Sequence, residues 1–254
     1  MAERGYQRRT LVLSAALAAV LPLAACESRS HRPAQSAVTA PRDAADSRIG
    51  VLTLPAESDS RSCTASVVDS PRRNLIVTAA HCVYQPGVGP VSGLAFSPGY
   101  RDGDSPYGSW PVDQITVDQH WQDDGDPEYD VAFLTVGPLN GRRIEDVVGG
   151  NRLGINRGFD LPVTVTGYPN ESDQPISCAI RTTARSSTQE RFDCGGFTDG
   201  TSGSPWVTGT DPATGVGTLV GVIGGYQEGG DTADTSYSVS FDDRVAAVYQ
   251  RAVS

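Results

Sequence analysis

Short apolar runs, broken by turns rich in glycine and proline, dominate the chain from about residue 48 to its end. Ile49 to Leu54, Cys63 to Val68 and Asn74 to Ala80 read as strands, the last two forming a hairpin around Ser70-Pro71. Ile115 to Val117 and Val131 to Val136 are further strands. Pro162 to Tyr168 alternates strictly between apolar and polar positions, and Gly217 to Gly225 is a long apolar strand. Pro86-Gly87, Pro98-Gly99, Asn140-Gly141 and Asp199-Gly200 mark turns. Only the last segment changes period. Val245, Val248, Tyr249 and Ala252 fall at i, i+3, i+4 and i+7 behind the acidic pair Asp242-Asp243, which predicts a short amphipathic helix over 242–253. Strands almost throughout, closed by one helix, give an all-β sandwich or barrel, and the length of 48–254 suits one large domain.

The first 47 residues follow no such pattern. Arg4, Arg8 and Arg9 precede an apolar run, Leu11 to Leu21, that is too short to span a bilayer. Residues 1–25 therefore read as an export signal. It ends in Leu23-Ala24-Ala25-Cys26, which looks like a bacterial lipobox, in which the cysteine is lipidated and becomes the first mature residue. An ordinary signal cut near Ala25 is the alternative, and the Arg8-Arg9 pair also fits twin-arginine export. Residues 26–47, rich in Ser, Arg, Ala and Pro, read as a disordered tether reaching about 25 Å on average. The expectation is an exported protein, held at the outer face of the cell membrane only through a lipid on Cys26, or else secreted.

The formal net charge is −10, and residues 1–25 carry three Arg and one Glu, so the remainder carries −12. Phosphate binding needs a basic face, so nucleic acid is excluded as a partner. Beyond Cys26 lie Cys63, Cys82, Cys178 and Cys194, an even set that implies two disulfides in an exported chain, with three pairings possible. A zinc site is a poor reading, because there is no Cys-x-x-Cys and no paired-histidine spacing. The acidic run Asp123 to Glu128 lacks the EF-hand pattern, and whether it holds calcium stays open. No cofactor is expected.

Three segments carry chemistry. Thr78-Ala79-Ala80-His81-Cys82 follows a strand and sets a histidine beside a cysteine. Tyr129-Asp130-Val131-Ala132 puts a carboxylate at the head of an apolar strand. Gly200-Thr201-Ser202-Gly203-Ser204-Pro205 presents hydroxyls on a small-residue loop. An imidazole, a carboxylate and a hydroxyl are the parts of a nucleophilic acyl-transfer site. Their order along the chain, His, Asp, Ser, is that of chymotrypsin. On these motifs the chain resembles the chymotrypsin-like, trypsin-fold serine peptidases, and its serine motif is most similar to the bacterial branch that includes glutamyl endopeptidases.

That resemblance implies two antiparallel six-stranded β-barrels, one over about 48–150 and one over about 151–240, with the C-terminal helix after them. It selects the pairs Cys63–Cys82 and Cys178–Cys194, each worth about 3 kcal/mol by loop closure. It assigns Ser202 as nucleophile through the family pattern Gly-x-Ser-Gly-Gly/Ser-Pro, with Ser204 where many relatives have glycine. His81 becomes the base and Asp130 its orienting partner. The backbone N–H groups of Gly200 and Ser202 form the oxyanion hole. Phe197, Ile223, Gly224, Gly225 and Tyr226 bind substrate, the last four by strand addition. His31 falls in the tether, and His120-Trp121 matches a packing pair of the family.

The chain also departs from the family. Thr201 stands where trypsin-like members carry the aspartate that pairs with a newly cut N-terminus, so Arg48-Ile49-Gly50-Val51 is not expected to act as an activation site. Glutamyl endopeptidases carry histidine at the place matching Ile223, which argues against strict Glu preference. Trypsin's pocket-floor aspartate matches Gly196. Glu228 and Asp231 lie at the rim, in what reads as a solvated loop. The expected protein is a monomeric serine endopeptidase acting on peptide or protein substrates through an acyl-enzyme. A peptide-binding protein on the same scaffold, without turnover, is the alternative. An α/β-hydrolase esterase is excluded, because Gly200 to Ser204 is not Gly-x-Ser-x-Gly and the histidine comes first.

Overall fold

A computed structural model of the chain describes residues 1–2, 35–54 and 60–254. The chain divides into two compact units, Met1–Pro33 and Ala34–Ser254, and the second holds every element named below. The export signal, Cys26 and the first part of the expected tether lie outside the described residues.

In the first half, strands Ala132–Val136, Leu75–Thr78, Arg61–Val68, Ile49–Thr53, Ala95–Pro98 and Trp110–Val117 pair in that order and close into a barrel. Closure removes the unpaired edges that an open sheet would expose. The pleat sends Leu52, Ala65, Val67, Ile76, Phe96, Trp110 and Leu134 into one buried cluster.

The second half is assembled from two sheets. One has six strands in the order Arg152–Leu153, Thr218–Val222, Pro205–Thr208, Pro162–Gly167, Ile176–Arg181 and Val38–Thr39. The other joins Thr183–Ala184, Gln189–Phe192 and Ser236–Val239. Phe192 meets Trp206 edge-on in the core they share, with ring centroids 5.1 Å apart. All ladders of the second half are antiparallel except the short pairing of Arg152–Leu153 with Thr218–Leu219 and that of Gln35–Ser36 with Cys194–Gly195.

A third cluster ties the halves together. Val77 and Phe133 of the first half pack with Leu219, Val222 and Val239 of the second, and the helix Asp243–Val253 covers them with Val245, Val248 and Ala252. Each such valine, leucine or phenylalanine side chain is worth about 1.5–3 kcal/mol on burial. These are the helix positions its periodicity predicts, and Asp242 caps the helix by accepting from the Arg244 N–H.

The tether expected over 26–47 is corrected for residues 35–47, which belong to the folded domain. Gln35–Ser36 runs parallel to Cys194–Gly195, and Val38–Thr39 pairs with Ile176–Ser177. A 3-10 turn follows at Asp46–Arg48. The buried Arg101 guanidinium donates to the Ala40 and Pro41 carbonyls at 3.0 and 3.3 Å and to Asp46 at 3.1 Å. The buried Arg48 donates to the carbonyls of Ala44 and Thr214. Backbone and guanidinium groups hold this segment, while Val38 is 68% exposed, so no apolar periodicity was needed to anchor it.

Glu190 is buried in the second half, with Oε2 unpartnered among the described residues. Burial raises its pKa from 4.5 to about 7 against a hydrogen bond from Thr182. The neutral acid is therefore the folded form at low pH. The cost of ionising it is absent below about 4.5, grows as pH rises, and reaches on the order of 3 kcal/mol above 7. Glu190→Gln should gain stability relative to wild type between pH 5 and pH 8, measured by urea unfolding. A stability difference that does not change with pH would contradict this.

Candidate active site

The carboxylate of Asp130 is buried and held by several hydrogen bonds. A 3-10 turn, Pro127–Tyr129, delivers it to the head of the strand Ala132–Val136. Its side chain is fully buried, where a lone charge would be untenable. Three donors satisfy it. Oδ2 accepts from His81 Nδ1 at 2.8 Å and from the Gly225 N–H at 2.7 Å, and Oδ1 accepts from the His81 N–H at 2.9 Å. Burial pushes its pKa up, but the His81 charge and these hydrogen bonds outweigh it and hold the group below the ordinary carboxylate value. Burial likewise disfavours a charged His81, whose side chain is 14% exposed. The charge and hydrogen bond of Asp130, with the charge of Glu228, override burial and raise the imidazole above its ordinary value.

The turn before Asp130 is gripped from several sides. Gln189 Nε2 donates to the Pro127 carbonyl at 3.0 Å and to Glu128 at 3.2 Å, while its Oε1 accepts from the Tyr226 N–H at 3.2 Å. The exposed His120 ring stacks on Tyr129 with centroids 4.3 Å apart, and its Nδ1 lies 2.8 Å from Asp118. Trp121 is buried, with its indole N–H on the Tyr84 carbonyl.

His81 follows the strand Leu75–Thr78, and the Cys63–Cys82 disulfide fastens the next residue to the neighbouring strand. The second disulfide joins Cys178 and Cys194. Both pairs agree with the pairing implied by the resemblance, and they fit an oxidising compartment.

The serine loop needs glycine at two points. Gly200 and Gly203 have φ of +93° and +80°. A Cβ at 200 would sit 2.4 Å from Asn170 Oδ1, and one at 203 would sit 2.0 Å from Thr78 Oγ1. Ser204 is fully buried, and its hydroxyl donates to the Thr201 carbonyl at 2.6 Å. Ser202 is half-buried and, with His81, lines a cleft of about 880 Å³. The amides of Thr201, Gly203 and Ser204 donate to backbone carbonyls. Among the described residues, those of Gly200 and Ser202 make no hydrogen bond within the protein.

Phe197 and Ile223 line the same cleft. So do Glu171, Asp199, Glu228 and Asp231, and among the described lining residues none is an arginine. Gly224, Gly225 and Tyr226 are placed differently from expectation. Their amides are already engaged, by the Tyr237 carbonyl, Asp130 and Gln189 respectively. The segment braces Asp130, so strand addition to a substrate would have to use its carbonyls or displace Gln189.

Thr201 is buried, and its hydroxyl donates to the Thr198 carbonyl. Arg48 and Ile49 are buried as well, and the Ile49 carbonyl accepts from the Gly99 N–H and the Tyr168 hydroxyl. The Arg48–Ile49 bond is thus built into the domain. The one group of three possible metal-ligating residues that converges among the described residues is Cys63, His81 and Cys82, and its two sulfurs are bonded to each other.

Two residues at the site escaped the sequence reading, Thr64 and Gln189. Both act through hydrogen bonds to distant backbone, which leave no local pattern.

The profile of the family described as Trypsin matches residues 50–242. Among solved structures, the chain is similar to the protease Anisep from Arthrobacter nicotinovorans, at 26% identity and a TM-score of 0.70, over 82% of this chain and 95% of that one. It shares its fold with the thermostable serine protease AL20 from an extremophilic microorganism, at 23% identity and a TM-score of 0.72, over 83% and 99% of the two chains. A Glu endopeptidase solved in complex with MPD, at 18% identity and a TM-score of 0.68, shares the fold over 87% and 98%. An extracellular metalloprotease of Bacillus subtilis is 27% identical over 118 residues, which is 46% of this chain and 36% of that protein's length.

A pH titration of the His81 imidazole by NMR should give a midpoint above 6.5. In Asp130→Asn the raising charge is gone and burial remains, so the midpoint should fall below that of wild type. A wild-type midpoint at or below 6.5 would contradict the electrostatic assignment.

Proposed function

The chain belongs to the trypsin family, and from that premise we propose that it is an exported serine endopeptidase working through Ser202, His81 and Asp130. One observation carries the reading. His81, backed by the buried Asp130, and Ser202 line one cleft, whereas the rival hydroxyl of Ser204 is locked inside the loop.

Asp130 holds Nδ1, which leaves Nε2 as the basic nitrogen for the Ser202 hydroxyl. Ser202 Oγ attacks the scissile carbonyl while Nε2 takes its proton. The carbonyl oxygen becomes an oxyanion facing the Gly200 and Ser202 amides, each worth about 3 kcal/mol to the transition state. The C–N bond then breaks, the imidazolium gives its proton to the leaving amine, and an acyl-enzyme remains. Water, deprotonated by the same imidazole, attacks the ester and restores Ser202. Asp130 stays ionised throughout, because it keeps three donors.

The carboxylates along the cleft disfavour an acidic substrate side chain, so neutral or cationic residues are the expected substrates rather than the glutamate of the glutamyl branch. The lipobox-like Leu23-Ala24-Ala25-Cys26 supports anchoring at the outer membrane face through Cys26.

Incubation with denatured casein should give cleavage that Ser202→Ala reduces by about 10⁶-fold and Asp130→Asn by about 10⁴-fold, the losses such triads show elsewhere. Cleavage that survives Ser202→Ala would refute the assignment. Cells expressing the full chain should incorporate labelled palmitate into it, and Cys26→Ser should abolish the incorporation. Equal labelling of both proteins would exclude the anchor.

A further inference from the structure

The serine loop belongs to the second half of the domain, yet its conformation is held by a side chain of the first. Thr64 follows Cys63 on the strand Arg61–Val68 and is fully buried. Its hydroxyl donates to the Gly200 carbonyl at 2.9 Å and accepts from the Tyr168 N–H at 3.0 Å. Its backbone N–H donates to the Ser202 carbonyl at 2.8 Å. Its own carbonyl accepts from the Thr78 hydroxyl at 2.7 Å. Thr64 thus fixes the peptide planes on both sides of the Thr201–Ser202 peptide, whose N–H belongs to Ser202. Thr78 connects this clamp to the strand that leads into His81.

We propose that Thr64 is a positioning residue, whose hydroxyl and amide set the orientation of the Gly200 and Ser202 amides, with Thr78 bracing it from the histidine strand. The physical reason is geometric. An oxyanion donor works only when it is fixed in advance at the place where charge develops, and small misplacements cost much of its effect. Two glycines give the loop unusual backbone freedom, and its own bonds, from the Thr201 and Ser204 amides and the Ser204 hydroxyl, leave the Gly200 and Ser202 carbonyls to be fixed by Thr64. The Thr64 hydroxyl has a donor and an acceptor role here, and both partners are backbone groups of the second half. Thr64→Val keeps the shape and removes both bonds, leaving the Gly200 carbonyl and the Tyr168 N–H unpaired. Thr64→Ser keeps the hydroxyl.

The inference rests on Ser202 being the nucleophile, and its test separates the two claims. The rate constant and the end-point stoichiometry of phosphonylation by an alkyl fluorophosphonate are measured for wild type, Thr64→Val, Thr64→Ser and Thr78→Val, well below each melting temperature. Thr64→Val should reach wild-type stoichiometry with a rate constant lower by about ten- to a hundredfold. The acidic limb of its pH–rate profile should stay in place, because the His81–Asp130 pair is untouched. Thr64→Ser should stay within about threefold of wild type. A loss of fold alone would lower stoichiometry and melting temperature, not the rate constant of the folded fraction. Should Thr64→Val fail to fold, Thr78→Val carries the test, with a smaller slowing expected and an unchanged rate overturning the inference. A wild-type rate in Thr64→Val, or equal slowing in Thr64→Val and Thr64→Ser, overturns it while leaving the nucleophile intact. Wild type that does not react at all overturns the nucleophile and this inference together.

Discussion

A single buried carboxylate constrains most of this domain. Asp130 has no access to solvent, so its charge survives only if the protein supplies donors on every side. Those donors come from both halves. The histidine ring and the His81 backbone N–H belong to the first, and the Gly225 N–H belongs to the second. Moving the halves apart would strip a buried charge of a donor, so the carboxylate makes their relative placement specific where apolar contact alone would tolerate sliding. The turn that carries Asp130 is held by Gln189, and the strand end that carries His81 is held by a disulfide. The geometry at the imidazole is therefore inherited from barrel packing, and does not depend on the side chains alone.

The serine loop reaches the same place by a different logic. It is short of side chains and rich in glycine, so it can pass close to the first barrel, and its internal bonds leave the Gly200 and Ser202 carbonyls to be held from outside. Threonine hydroxyls buried between the halves supply what it lacks. The Ser204 hydroxyl closes the loop internally, which leaves Ser202 as the loop's serine on the cleft. The cleft beyond is acidic and is bordered by Gln227 and Glu228, both at positive φ of 52° and 51°. That wall carries carboxylates, and on it rests the proposal that neutral or cationic substrate side chains are preferred.

Much of this was legible from residue order. The C-terminal helix was written in four apolar positions and an acidic cap, and the strands around His81 and Asp130 in short apolar runs between turns. The choice of Ser202 over Ser204 follows from motif spacing, while the burial of the Ser204 hydroxyl on the Thr201 carbonyl could not be read from it. Other features left no trace in the pattern. Residues 35–47 looked like a tether because their side chains are small, polar or exposed, while the bonds that fix them run through backbone and two buried arginines. Thr64 and Gln189 were invisible because each acts on backbone more than 30 residues away, at Gly200 and at Pro127. The resemblance implies strand addition of substrate at Gly224 to Tyr226, and no residue pattern shows that their amides are engaged by the Tyr237 carbonyl, Asp130 and Gln189.

On the proposed mechanism the Ser202 hydroxyl, alone among the hydroxyls of this domain, is activated by the His81–Asp130 pair. Peptide mapping by mass spectrometry of the protein after reaction with diisopropyl fluorophosphate addresses it directly. One diisopropylphosphoryl adduct per chain, formed with loss of fluoride, carried by Ser202 and absent when the protein is first unfolded, is the predicted result. An adduct on Ser204 or another residue, or none on the folded protein, would contradict the account.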